Sequence, residues 1–102
     1  MIAILWSYEV RPEARDAFER AYGLEGDWAA LFGRAAGYLG TELLRGAGNA
    51  YLTIDRWRGE ADFEAFMAAH RADYQALDRA TEGWTTEERR LGVWHALNSA
   101  RE

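Results

Sequence analysis

Tyr51-Leu52-Thr53-Ile54-Asp55-Arg56-Trp57 is the stretch from which the rest of the chain can be placed. It reads as a strand, and three residues after Trp57 a long amphipathic helix begins that carries His70. Side chains two apart on a strand share a face, so Asp55 and Trp57 go together. Both line a pocket, or both lie on a seam with another surface. The junction brings a large aromatic, an acid and the only helical imidazole toward one another, and a pocket is expected there.

Working backward, Tyr38 to Arg45 is a second strand, joined to Ala50–Trp57 through Gly46-Ala47-Gly48-Asn49. Residues that tolerate positive φ sit together in that link, which predicts a hairpin. Before it, Trp28, Leu31, Phe32 and Ala35 form the apolar stripe of a short helix, with Asp27 as its cap and Gly37 as its end. Pro12 suits a first helical turn, and Glu13 to Tyr22 presents Ala14, Phe18, Ala21 and Tyr22 on one side before Gly23. At the start, Ile2, Ile4, Trp6, Tyr8 and Val10 share one face of a strand whose other face, Ala3, Leu5, Ser7 and Glu9, is also largely apolar.

Working forward, Phe63, Phe66, Met67, His70, Tyr74, Leu77 and Thr81 recur at helical spacing from Glu60 to about Glu82. After Gly83, Glu87 to Leu97 reads as a final strand, with Leu91, Val93 and His95 on one face and Trp94 and Ala96 on the other. The tail to Glu102 is expected to be loose. The order βααββαβ is an α+β, ferredoxin-like split β-α-β plan with a four-stranded antiparallel sheet. Helices cover one face of such a sheet, and the apolar second face predicts a homodimer through sheet-to-sheet packing.

Composition narrows the function classes. The 102 residues suit one domain, 1–102, that buries roughly 60 to 70% of its unfolded surface. Five Trp, five Tyr and four Phe exceed what a small core usually needs, so some should line a cavity or an interface. Cysteine is absent, which removes disulfides, thiolate nucleophiles and cysteine-ligated metals. All twelve basic residues are arginine, which removes lysine nucleophiles and the phosphate-loop lysine. A net charge of −5 and no basic run longer than Arg89-Arg90 argue against nucleic acid. Met1 to Val10 lacks the pattern of a signal peptide or membrane span, so a cytoplasmic protein is expected.

Four stretches stand out in order: Tyr8-Glu9-Val10-Arg11-Pro12, Gly37-Tyr38-Leu39-Gly40-Thr41-Glu42, Tyr51 to Trp57, and Ala61-Asp62-Phe63 opening the long helix. With these the chain resembles, over nearly its full length, the antibiotic biosynthesis monooxygenase domains of the dimeric α/β barrel group. The resemblance implies two sheets face to face across a dimer, with a pocket in each monomer between sheet and helices. It also implies oxidation of phenolic substrates by O2 with no cofactor, the substrate anion itself supplying the electron. A haem-degrading branch uses an asparagine on the first strand with a tryptophan and a histidine on the long helix. Here the first strand offers Trp6 and Ser7, and the helix has no tryptophan.

The candidate catalytic residues are His70, Asp55 and Tyr74. His70 is a general base, or a structural histidine satisfied within the stripe. Tyr74, one turn on, donates to a substrate oxygen or turns its hydroxyl to water. Asp55 orients His70, pairs with an arginine, or joins an ion pair between subunits. Candidate substrate-binding residues are Trp57, Trp6, Tyr8, Phe63, Phe66, Trp28 and Phe32; Trp57 looks like the family's strand-end tryptophan, against the alternative of a core anchor packed on Phe63. His70 and Asp73 at i and i+3 with Asp55 are a weak metal set, and no metal or other cofactor is expected.

Three functions follow in order. The first is a cofactor-independent monooxygenase acting on a small aromatic or polyketide-type phenol. The second is a non-catalytic dimeric domain that binds a hydrophobic small molecule. The third, an RNA-recognition domain, shares the chain plan but needs a basic and aromatic third strand, and Ala50-Tyr51-Leu52-Thr53-Ile54 does not supply it.

Overall fold

The computed structural model describes residues 1–98. Strand β1 (Ile2–Val10) leads through a 3-10 turn at Pro12–Ala14 into α1 (Arg15–Tyr22) and α2 (Asp27–Phe32). The hairpin β2 (Tyr38–Arg45) and β3 (Ala50–Trp57) follows, then α3 (Glu60–Thr81), a 3-10 turn at Glu82–Trp84, and β4 (Thr85–His95). The strands make one antiparallel four-stranded sheet in the order β2-β3-β1-β4, the ferredoxin-like α+β plan expected from the sequence.

Alternation decides which face each strand residue takes. In β3, Tyr51, Thr53, Asp55 and Trp57 are buried while the residues between them are only half-buried. Strand β1 buries Ile2, Ile4, Tyr8 and Val10 on that same face, and the helices pack over it. Trp57 is 0% exposed, with Phe32, Tyr38, Phe63 and Phe66 around it at ring-centroid distances of 5.4 to 5.7 Å. At the other end of β3, Tyr51 packs on Phe18, which stacks on Tyr22 at 4.1 Å. The opposite face of the sheet presents Leu5, Leu52 and Ile54, with Leu44 and Trp94 exposed.

Several boundaries differ from the sequence reading, each for a local reason. The first helix opens as a 3-10 turn at Pro12, so its α-helical part begins at Arg15. Asp27 does not cap α2; Gly26 does, with extended backbone and no side-chain bond. A Cβ at position 26 would stand 2.2 Å from the Arg20 carbonyl oxygen, so only glycine fits that turn. Asp27 falls instead in the first turn, where the helix dipole still favours its charge. Helix α2 stops at Phe32 rather than continuing to Ala35, although the 3-10-like bonds Arg34 N–H to Leu31 O and Ala35 N–H to Phe32 O keep Ala35 against the core.

The final strand runs Thr85–His95 instead of Glu87–Leu97, because β1 pairs from Ile2 with His95 to Val10 with Thr85. A bulge separates the pairs Leu5 with Gly92 and Trp6 with Arg90. Leu91 therefore leaves the face of Val93 and His95 and is exposed, while Gly92 takes the φ of +104° that the bulge requires. Helix α3 is bent at His70, whose φ of −125° and ψ of 25° are not helical. No helix of the described residues is long and apolar enough to cross a membrane. The tail over 99–102 lies outside the described residues.

Candidate active site between sheet and helices

A cavity of about 160 Å³ lies between the covered face of the sheet and the helices. Its aromatic walls are Trp6 and Tyr8 from β1, Tyr22 from α1, Trp28 and Phe32 from α2, and Tyr74 from α3. Its polar groups are Thr41 from β2, Thr53 and Asp55 from β3, and the acids Asp78, Glu82 and Glu88. Glu82 and Glu88 are exposed and mark the mouth, whereas Asp55 is 9% exposed and lies deep. An apolar engineered interior void of similar size accepts benzene, so this space suits one or two rings.

The register of the hairpin sets the deep end. Thr41 pairs with Asp55 across β2 and β3, and its hydroxyl donates to Asp55 Oδ1 at 2.7 Å. A threonine has one hydroxyl hydrogen, so the Tyr38 hydroxyl, 2.5 Å from Thr41 Oγ1, must be the donor in that contact. The relay Tyr38 to Thr41 to Asp55 stabilises the carboxylate at one oxygen. Among the described residues no other group bonds Asp55, which leaves Oδ2 for a guest. Burial outweighs the Thr41 bond and pushes the Asp55 carboxyl up to about 6.

The phenols of the cavity respond to the same surroundings. Burial pushes Tyr74 up to about 12, and the charges of Asp78, Asp55 and Glu88 add to it. Tyr22 is also pushed up to about 12 by burial, although it donates to Thr81 Oγ1 at 3.1 Å. Tyr8, within 3.2 Å of Thr53 Oγ1, is raised furthest, again by burial. All three are neutral hydrogen-bonding groups at physiological pH. At the mouth, burial and the charges of Asp78 and Glu82 raise Glu88.

The family model described as antibiotic biosynthesis monooxygenase matches residues 1–77, from β1 well into α3. The chain belongs to the antibiotic biosynthesis monooxygenase family. No curated relative matches it in sequence. Among solved structures it is similar to a point mutant of SnoaB, a cofactor-independent oxygenase from Streptomyces nogalater, at 22% identity and TM-score 0.74, over 99% of this chain and 97% of that one. A protein from Bordetella bronchiseptica that carries the family's name is 22% identical, with TM-score 0.75 over 95% of this chain and 97% of that one. A MhuD mutant with two manganese protoporphyrin IX molecules per active site is 19% identical, with TM-score 0.65 over 97% of each chain. At these identities the likeness is one of fold.

Within this family fold, the residues singled out from the sequence fall into two groups. Asp55, Tyr74, Trp6, Tyr8, Trp28 and Phe32 line the cavity together. Trp57, Phe63 and Phe66 lie beside it in a packed aromatic cluster, with Phe32 between the two. His70 is half-buried against Phe66, at 5.3 Å between ring centroids, and is not among the lining residues. Asp73 pairs with Arg34 at 2.8 Å on the surface, apart from Asp55. Thr41, Thr53, Tyr22, Asp78, Glu82 and Glu88 were not foreseen as site residues. The cross-strand pairs Thr41 with Asp55 and Glu88 with Tyr8, and the one-turn step from Tyr74 to Asp78, are the signals that would have found them.

Proposed function

We propose that the protein is a cofactor-independent monooxygenase that oxidises a small phenol of one or two rings with O2. The observation that supports this best is the Asp55 carboxylate: buried, held at one oxygen by Thr41, its other oxygen open to an aromatic cavity, and raised to about 6. A carboxylate with that pKa is ionised at neutral pH and is a stronger base than an exposed one. In this reading Asp55 takes the phenolic proton and the aromatic walls exclude water. The electron-rich anion passes an electron to O2, and recombination forms a carbon–oxygen bond. The peroxide takes the proton back from Asp55, and the hydroperoxide then loses water with the hydrogen of the same carbon to leave a quinone, so phenol plus O2 gives quinone plus H2O. Tyr74, neutral, donates to the substrate oxygen. A porphyrin is far larger than this cavity, which speaks against a haem substrate.

Oxygen uptake by the purified protein against a panel of phenols, hydroquinones and anthrones tests the reading, with anaerobic controls. Uptake should occur with at least one small member, and Asp55→Asn should slow it at least a hundredfold. His70→Ala, outside the cavity, should change it less than threefold. Binding without oxygen uptake anywhere in the panel would favour the non-catalytic binding domain. We further propose that two copies pack through the open sheet face carrying Leu5, Leu52 and Ile54 and so complete a dimeric α/β barrel.

A further inference from the structure

The cavity has an unbalanced charge. Of its lining residues six are aromatic and four are acidic, and none is basic. Among the described residues, Asp55, Asp78, Glu82 and Glu88 take part in no ion pair. Arg90 lowers the Tyr74 phenol, but more weakly than Asp78, Asp55 and Glu88 raise it, and it lies outside the lining. Glu82 also caps the C-terminus of α3, where the helix dipole adds partial negative charge. Inside, the Trp28 indole N–H is buried without a hydrogen-bond acceptor. It lies near enough to the Tyr22 oxygen to favour its ionised form, but not in bonding geometry. The negative mouth holds no compensating positive charge among its lining residues.

A neutral phenol leaves this negative charge uncompensated. Burial first, and the neighbouring acids after it, hold the cavity's own phenols Tyr22 and Tyr74 up at about 12, and the acids would act on a phenolic guest in the same direction. A guest that carries its own positive charge escapes the conflict. Its ammonium offsets the carboxylates, gains from the faces of Tyr22, Trp28 and Tyr74, and compensates the phenolate that the chemistry needs.

We infer that the cavity selects a small aromatic guest bearing an amine that is protonated at neutral pH, its ring among Tyr8, Tyr22 and Trp28 and its ammonium toward Asp78, Glu82 and Glu88. The inference rests on the cavity being the substrate pocket proposed above, and it is independent of the oxygen chemistry.

Three probes share one ring and differ in the charge of the side chain: tyramine, 4-ethylphenol and 3-(4-hydroxyphenyl)propionate. Their affinities are measured by calorimetry under anaerobic conditions at neutral pH and low salt. Tyramine should bind at least tenfold more tightly than 4-ethylphenol, and the propionate more weakly than either. The double variant Glu82→Gln, Glu88→Gln alters two exposed side chains and should fold normally, as circular dichroism would verify. It should weaken tyramine at least fivefold and 4-ethylphenol less than twofold. Equal affinity for tyramine and 4-ethylphenol, preference for the propionate, no binding by any probe, or a tyramine preference intact in the double variant would each overturn the inference. Oxygen uptake is read separately. Tight tyramine binding with no uptake defeats only the monooxygenase reading, whereas uptake with 4-ethylphenol and no amine preference defeats only this one.

Discussion

Asp55 is the residue at which burial and charge pull in opposite directions. Burial raises its carboxyl from an ordinary value near 3.8 to about 6, so the folded protein binds its proton more tightly than the unfolded chain does. The resulting stabilisation is present in full below about 3.8 and is lost as pH rises through about 6. Above that, the folded state holds an ionised carboxylate at a cost of about 2 to 3 kcal/mol, from about 1.4 kcal/mol per pH unit. Asp55→Asn keeps an oxygen to accept from Thr41 and removes the charge. It should raise stability by about that amount at pH 8, and by little at pH 4, in urea titrations at the two pH values. A group that costs stability in this way is what a general base in a desolvated site looks like. With Asp55 as the base proposed above, oxygen uptake by the unaltered protein should rise with pH through about 6. Thr41→Val removes the bond that favours the anion, so the rising limb should move to higher pH; an unmoved limb would mean that Asp55 is not the group that titrates.

Among the elements, β4 shows how a local irregularity places a site. The bulge at Leu91 shifts the register so that Arg90 stands opposite Trp6 and Glu88 opposite Tyr8, which sends Glu88 to the cavity mouth. Gly92 permits it with φ at +104°, and a Cβ there would meet nothing within 4 Å. The obstacle to Gly92→Ala is therefore backbone strain and not collision, and it should cost about 1 to 2 kcal/mol by thermal denaturation. Such a bulge is invisible to a reading by strict alternation, which is why Leu91 was expected beside Val93. The β2–β3 hairpin was legible to the residue, because Gly46-Ala47-Gly48-Asn49 is a local signal and Gly48 does adopt a φ of +63°. The aromatic walls were legible in part: Trp6, Tyr8, Trp28 and Phe32 follow from period-2 and helical spacing, whereas Trp57, Phe63 and Phe66 pack beside the cavity and Tyr22 joins it. The polar half of the cavity was not. Thr41 and Glu88 reach the cavity through cross-strand register, and the sequence alone does not state register. His70 was drawn toward the site by its place on the α3 stripe, but the stripe is long and the cavity meets only its later part, at Tyr74 and Asp78.

For the molecule as a whole, the sheet and helices of a single chain already enclose an aromatic and acidic cavity, and binding can be tested apart from assembly. The sheet has helices over one face only, and the other presents Leu5, Leu52 and Ile54 with Leu44 and Trp94 around them, Trp94 being 58% exposed. Apolar side chains grouped on an uncovered sheet face favour a partner, and a second copy of the same sheet would cover them by two-fold symmetry. Leu52 and Ile54 lie near the centre of that face on β3, between β1 and β2. Replacing both with arginine sets four guanidinium groups against one another across the seam, while the covered face keeps Tyr51, Thr53, Asp55 and Trp57. The unaltered protein should run as a dimer in light scattering after size exclusion, and Leu52→Arg, Ile54→Arg as a folded monomer. The monomer should retain its affinity for tyramine to within about threefold, since no residue of the cavity has been changed. A dimer that survives both arginines would place the interface elsewhere, and a monomer that folds but loses the amine would show that the partner contributes to the pocket after all.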